Sequence, residues 1–224
     1  MITESANARP GRPKSRQKRD AIRQAAVRLF MSEGLQRTSM DAVAAEAGVS
    51  KQTVYSHFES KDALFRECVR TKVTDYGLEG EALPPETSAA EALHAFGRQF
   101  MELLQDQEVL SMFRLLAGEC PSYPSIARVF YEAGPAQNCE YLGSLLSRFA
   151  ERGELVLDDP LEAASLLVAM FKAHYFLELL LRVRESIEPE ELERHLQRTV
   201  QRFLALHGGG GSPREQGLPT REIR

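Results

Sequence analysis

The 224-residue sequence has only three cysteines, Cys68, Cys120 and Cys139, an odd number at wide spacing. That argues against a disulfide framework and fits a reducing compartment. No CxxC or HxxxH pattern is present, so no zinc site and no other cofactor is expected. The histidines, at 57, 94, 174, 195 and 207, are scattered, with no nucleophile elbow and no phosphate-binding glycine loop. A helical enzyme is the weaker reading on those grounds. No apolar–polar alternation is long enough for a strand. The most apolar stretch, residues 161–183, has the length of a membrane span, but Glu162, Lys172, His174, Glu178 and Arg182 interrupt it. It is expected to be a helix buried on most sides. The N-terminus is polar and then basic, so no secretory signal peptide is expected, and the cytoplasm is the expected location.

What is present is ordinary in amount and unusual in distribution. Apolar residues make up 43% of the chain and charged residues 27%, typical of a globular protein. The length allows a buried core without staples. The net charge of −4 hides an asymmetry: residues 1–72 carry 14 basic and 8 acidic side chains, the remainder 14 and 24. A basic end on an acidic body suggests that the end meets a polyanion, although a basic tail can also merely solubilise.

The spacing predicts an all-α protein of about nine helices. Residues 1–14, with Pro10, Gly11 and Pro13, are expected to form a disordered basic arm, and residues 208–224 a disordered tail. A first helix is expected from Ser15 to Ser32, ended by Gly34. A second follows TSMD, residues 38–41, with Thr38 as its cap and Asp41 in a capping-box position. A third runs from Ser50 to Phe58, and a fourth, capped by Ser60, to about Tyr76. The glycines and prolines of residues 77–86 mark a domain border. Residues 15–76 therefore form one expected domain and residues 86–207 a second. In the second, Ser88 and Glu91 form a capping box, Asp159-Pro160 opens a long helix over 160–183, and Pro189 opens a last helix to His207.

Two short helices joined at Gly48-Val49-Ser50 make a helix-turn-helix candidate. Val49, Val54 and Phe58 can anchor it. Ser50, Lys51, Gln52, Thr53, Tyr55, Ser56 and His57 are left as a polar surface dense in hydrogen-bond donors. Lys51 and Gln52 suit base edges, and Thr53, Tyr55, Ser56 and His57 suit phosphate oxygens. Lys61 adds charge at the next helix start. A short polar helix is also, in many proteins, simply a solvated face.

Residues 15–65 resemble the DNA-binding domain of the TetR family of bacterial repressors. The matching elements are Phe30, Gly34, Thr38, Ala47-Gly48-Val49-Ser50, Thr53, Tyr55, His57-Phe58, Ser60-Lys61 and Leu64. The resemblance implies that Thr38, Thr53, Tyr55, His57 and Lys61 hold phosphates, with Ser39 and Ser50 at the same surface. It places Lys51, Gln52 and Ser56 on bases of double-stranded DNA. Ahead of it, RPGRPKSRQKR, residues 9–19, is similar to an AT-hook, which would lay Arg12 in a narrow minor groove; a solvated tail is the other reading.

Residues 112–137 and 152–160 resemble the C-terminal domain of the AcrR/AefR-like branch. That implies a pocket for a hydrophobic effector, a homodimer and, for many members, control of multidrug-efflux or stress genes. The candidate pocket residues are Phe96, Phe100, Phe113, Leu116, Tyr123, Phe130, Tyr131, Phe171 and Tyr175, although aromatics at helical spacing are commonly core. The helices 160–183 and 189–207 are the candidate dimer interface. Leu166, Leu167, Met170, Phe171, His174, Leu177 and Leu181 would meet the partner copy, and Val168, Phe176 and Leu180 would face inward. The reading that results is a repressor released from a palindromic operator by a small molecule. The alternative is a DNA-binding dimer with no inducer.

Overall fold

The computed structural model describes residues 12–80 and 84–209, with side chains from Ser15 onward. Most of the expected arm and tail, and the side chain of Arg12, lie outside the described residues. The described residues are all-α, with no strand: a single bridge joins Leu155 to Gly208. Among the described residues there are eleven helices: α1 (Arg12–Glu33), α2 (Met40–Glu46), α3 (Lys51–His57), α4 (Lys61–Asp75), α5 (Ala89–Gln105), α6 (Gln107–Glu119), α7 (Pro124–Ala133), α8 (Pro135–Glu151), α9 (Pro160–Lys172), α10 (Tyr175–Leu180) and α11 (Pro189–His207). The backbone is helical from Arg12, earlier than expected. An AT-hook needs extended backbone at Arg12-Pro13, and here both are helical, with Pro13 in a first turn that does not need its N–H.

By packing, the described residues form two compact units: those within 1–77 and 103–137, and those within 78–102 and 138–224. Residues 103–137 thus join the first unit, whereas the sequence reading places them in the second domain. The reason is apolar. Met112 and Leu116 of α6, and Ile126, Val129 and Ala133 of α7, share one buried cluster with Ile22, Phe30, Val43, Val54, Leu64 and Phe65. Phe30 and Phe65 meet edge to face at 5.6 Å in that cluster. Burying each such side chain stabilises the unit by about 1.5–3 kcal/mol.

In the second unit, Ser88 and Glu91 form the expected reciprocal capping box. Asp159 caps α9 by accepting from Leu161 N and Glu162 N. The expected helix over 160–183 is broken. Ala173 stands at φ 38°, outside helical geometry, and α10 starts anew at Tyr175. Among the described residues, no helix is long and apolar enough to cross a membrane. Leu167 and Phe171, expected to face a partner copy, are instead fully buried within the unit, because α9 packs on α11 and Phe171 seats against Gly97 of α5. Val168 is buried as expected, and Leu166, Leu177 and Leu181 are exposed.

Candidate nucleic-acid interface

The geometry of α2 and α3 follows from a few local choices. Ser39, not Thr38, caps α2: its Oγ accepts from Ala42 N at 3.1 Å. Thr38 is buried, and its Oγ1 donates to Gly34 O at 2.7 Å. With the cap one residue later, Asp41 is released from the expected capping box and pairs with Lys51 at 2.8 Å. Gly48 takes φ 65° to turn the chain, and Val49 N donates back to Ala44 O. Ser50 then caps α3, accepting from Thr53 N at 3.2 Å.

Val54 is fully buried and Phe58 nearly so. They fix the rotation of α3, a helix of barely two turns. Ser50, Lys51, Gln52, Tyr55 and Ser56 are therefore exposed, with Thr53 and His57 half-buried beside them. Tyr55 is 47% exposed, high for so large an apolar ring. The sequence-predicted readers thus share one solvent-facing surface. The Lys51–Asp41 pair is open to water on both sides and contributes little to stability. It keeps the ammonium charged, since the hydrogen bond that Lys51 donates to Asp41 raises the Lys51 pKa.

Thr38 and Lys61 are placed differently from the rest of the predicted set. Lys61 Nζ donates to Leu35 O (2.6 Å), Thr38 O (3.0 Å) and Gln36 O (3.1 Å), which uses its three donors. Burial lowers its pKa, against the pull of Asp62 and Glu119. Both side chains brace the loop that presents Ser39 and point into the unit rather than out to solvent.

Two further residues in this brace were not visible as such in the sequence. Glu119, at the end of α6, accepts from Gln36 N at 3.2 Å. Tyr123 donates to Asp62 Oδ1 at 2.5 Å, and its ring lies 5.4 Å from Lys61 Nζ. Burial pushes the Tyr123 hydroxyl up to about 12, and Asp62 reinforces the shift. The start of α7 is thereby tied to the start of α4. No periodicity or motif signals such a tie, because its partners are 61 residues apart.

The nine candidate pocket residues divide between the units. In the first, Leu116 is core, Phe113 and Phe130 meet edge to face at 5.0 Å, and Tyr131 is exposed. In the second, Phe96 stacks on Phe100 at 5.8 Å and reaches Phe171 at 6.3 Å. Tyr175 turns away from these rings. It donates to Glu191 at 3.0 Å and lines an open cleft of about 370 Å³ together with His174, His195, Arg194, Arg198 and Arg202. Among the described residues, no group of His, Cys, Asp or Glu is placed to hold a metal ion.

A capped bihelical unit with an outward donor face, followed by a second all-helical unit, defines a helix-turn-helix transcriptional regulator. The sequence profile of the bacterial regulatory proteins of the tetR family matches residues 22–68, and that of the AefR-like transcriptional repressor C-terminal domain matches residues 91–208. The chain belongs to the TetR family of transcriptional regulators, which are not enzymes, with a DNA-binding and a ligand-binding domain. It is similar to a Mesorhizobium loti protein described as a TetR-family transcriptional regulator, at 31% identity over 87% of this chain and 98% of that one, with a TM-score of 0.69. It is also similar to the flavonoid-responsive regulator FrrA, at 30% identity over 87% and 99% of the two chains, with a TM-score of 0.73. The HTH-type regulator YerO of Bacillus subtilis, itself uncharacterised, is 26% identical over 64% of this chain. The chain spans half the length of that curated relative.

Proposed function

We propose that this protein is a homodimeric repressor in the cytoplasm that leaves a palindromic operator when a hydrophobic small molecule binds its second unit. The observation that carries the reading is the exposed donor face of α3, held out by the buried Val54 and Phe58. On it, Lys51, Gln52 and Ser56 would read base edges, and Ser39, Ser50, Thr53, Tyr55 and His57 would hold phosphates. Thr38 and Lys61 would act by positioning the loop before α2.

A dimer is supported by apolar side chains left in water. Leu161, Leu166, Leu177, Leu181 and Val183 are exposed on α9, α10 and the turn after it, and Leu206 on α11. Large apolar side chains left exposed in this number suit burial against a partner, and paired operator half-sites require a two-fold partner. Induction follows if the effector prefers a state in which the two α3 helices miss successive major grooves, about 34 Å apart. FrrA is flavonoid-responsive, which makes a polyphenol the first effector class to try; genes for efflux or stress response are the first targets to examine.

The test is selection of bound DNA from a genomic-fragment pool by the purified protein, repeated with polyphenols and hydrophobic cations. A palindrome that one compound releases would support the whole reading. A palindrome that no compound releases would favour the dimer without an inducer. No enrichment at low salt, where phosphate contacts are strongest, would overturn the assignment of α3.

A further inference from the structure

We infer that the effector is an acidic aromatic molecule, a phenolate or carboxylate, whose anionic oxygen is met by Lys172 of α9. The inference rests on the reading of the second unit as an effector domain. Among the described residues, three lysines are partly withdrawn from water, and two of them are satisfied. Lys61 donates to three carbonyl oxygens, and Lys72 pairs with Asp106 and Glu108 at 2.8 Å each.

Lys172 is the exception. Its Nζ lies 6.0 Å from the centre of the Phe100 ring and 5.7 Å from that of Phe176. Among the described residues it has no carboxylate partner and no hydrogen-bond acceptor. Ring faces attract a cation, but they do not accept from three N–H donors as an anionic oxygen does. Burial lowers the Lys172 pKa, partly offset by nearby Cys139. A half-buried ammonium with no carboxylate beside it is open to an anionic ligand.

An unmet acceptor lies one residue before Cys139 in α8. Asn138 is 4% exposed, and its Oδ1 accepts no hydrogen bond. Buried polar atoms are partnered as a rule, so this one points to a donor from a bound group. Phe100, which Lys172 faces, belongs to a group of rings that supplies the rest of the recognition. Phe96 and Phe100 lie nearly parallel, 12° apart, and Phe171 and Tyr141 flank Phe96. An aromatic body would stack there, its anionic oxygen would accept from Lys172, and a hydroxyl would donate to Asn138. A hydrophobic cation would meet the Lys172 charge instead and be disfavoured.

The experiment is calorimetric titration of the full-length protein with two matched pairs: naringenin and its 7-methyl ether, and 2-naphthoic acid and 2-naphthamide. The wild type should bind the acidic member of one pair at least tenfold more tightly than its neutral partner, and the responding pair distinguishes phenolate from carboxylate. Lys172→Met should abolish that preference, and Lys172→Arg should keep it, with melting temperatures confirming that both variants fold. Equal affinity for acidic and neutral members, or a preference that survives in Lys172→Met, would overturn the role of Lys172 and leave the effector reading standing. No binding by any of the four would overturn the acidic-aromatic class. Release of DNA by some other compound would then show that the effector reading itself survives.

Discussion

Two places in this protein join a pair of short helices at a break, and they are built in opposite ways. Between α2 and α3 the turning residue is Gly48, at φ 65°, with serine caps at Ser39 and Ser50. Between α9 and α10 it is Ala173, at φ 38°, and His174 supplies no side-chain cap. The first break is local: glycine tolerates the conformation and serine oxygens take the orphan N–H groups. The second is imposed from a distance. His195 of α11 donates a ring N–H to Phe171 O at 2.8 Å, and Tyr175 is held by Glu191. A locally encoded break can support a rigid reading head, whereas a tertiary one depends on the packing of α11 beneath it.

The largest effect is expected from Phe65→Ala, which empties the fully buried core beneath α3. It should destabilise the first unit by about 3–5 kcal/mol in urea unfolding; a loss under 1 kcal/mol would mean that the donor face is not held up by that core. Next come the two turning residues. Gly48→Ala has open space around it but forces a left-handed alanine, and should cost about 1–2 kcal/mol. Ala173→Gly should instead stabilise the second unit, by up to about 1 kcal/mol, by relieving a strained conformation. Equal signs for the two changes would mean that the two turns are strained alike.

On the DNA side, Tyr55→Phe should leave the melting temperature unchanged and weaken binding to every sequence by several-fold, in keeping with about 1 kcal/mol for one hydrogen bond. Gln52→Ala should change preference at particular bases. A binding-site selection with each variant separates the two; an unaltered preference in Gln52→Ala would remove that residue from the base readers.

The smallest effect concerns pH. Burial would raise the Asp106 pKa, but hydrogen bonds from Lys72 and Tyr76 outweigh it and hold the carboxyl below its usual value. A depressed carboxylate contributes stability that is fully present above about pH 4 and is lost as pH falls through the folded-state value. Asp106→Asn keeps a residue that can cap α6 but removes the charge. Its stability deficit, about 1 kcal/mol at pH 6, should shrink by pH 3; a deficit independent of pH would assign the effect to the cap alone.

The sequence by itself determined what neighbours in the chain can enforce. The all-α class, the positions of Gly34 and Gly48, the caps at Ser60 and Asp159 and the capping box at Ser88 were legible, because each rests on contacts within four residues. So was the outward face of α3, since the spacing of Val54 and Phe58 fixes which side is buried. Only the tertiary structure decided the matters that depend on distant partners. Thr38 lost its capping role because its hydroxyl found Gly34 O, and Lys61 turned inward because three carbonyls of the α1–α2 loop surround it. Residues 103–137 joined the first unit because Leu116 and Ile126 complete its core. The expected long helix over 160–183 ended at Lys172, although its hydrophobic pattern continues, because pattern records burial and is silent about where distant side chains bend the backbone.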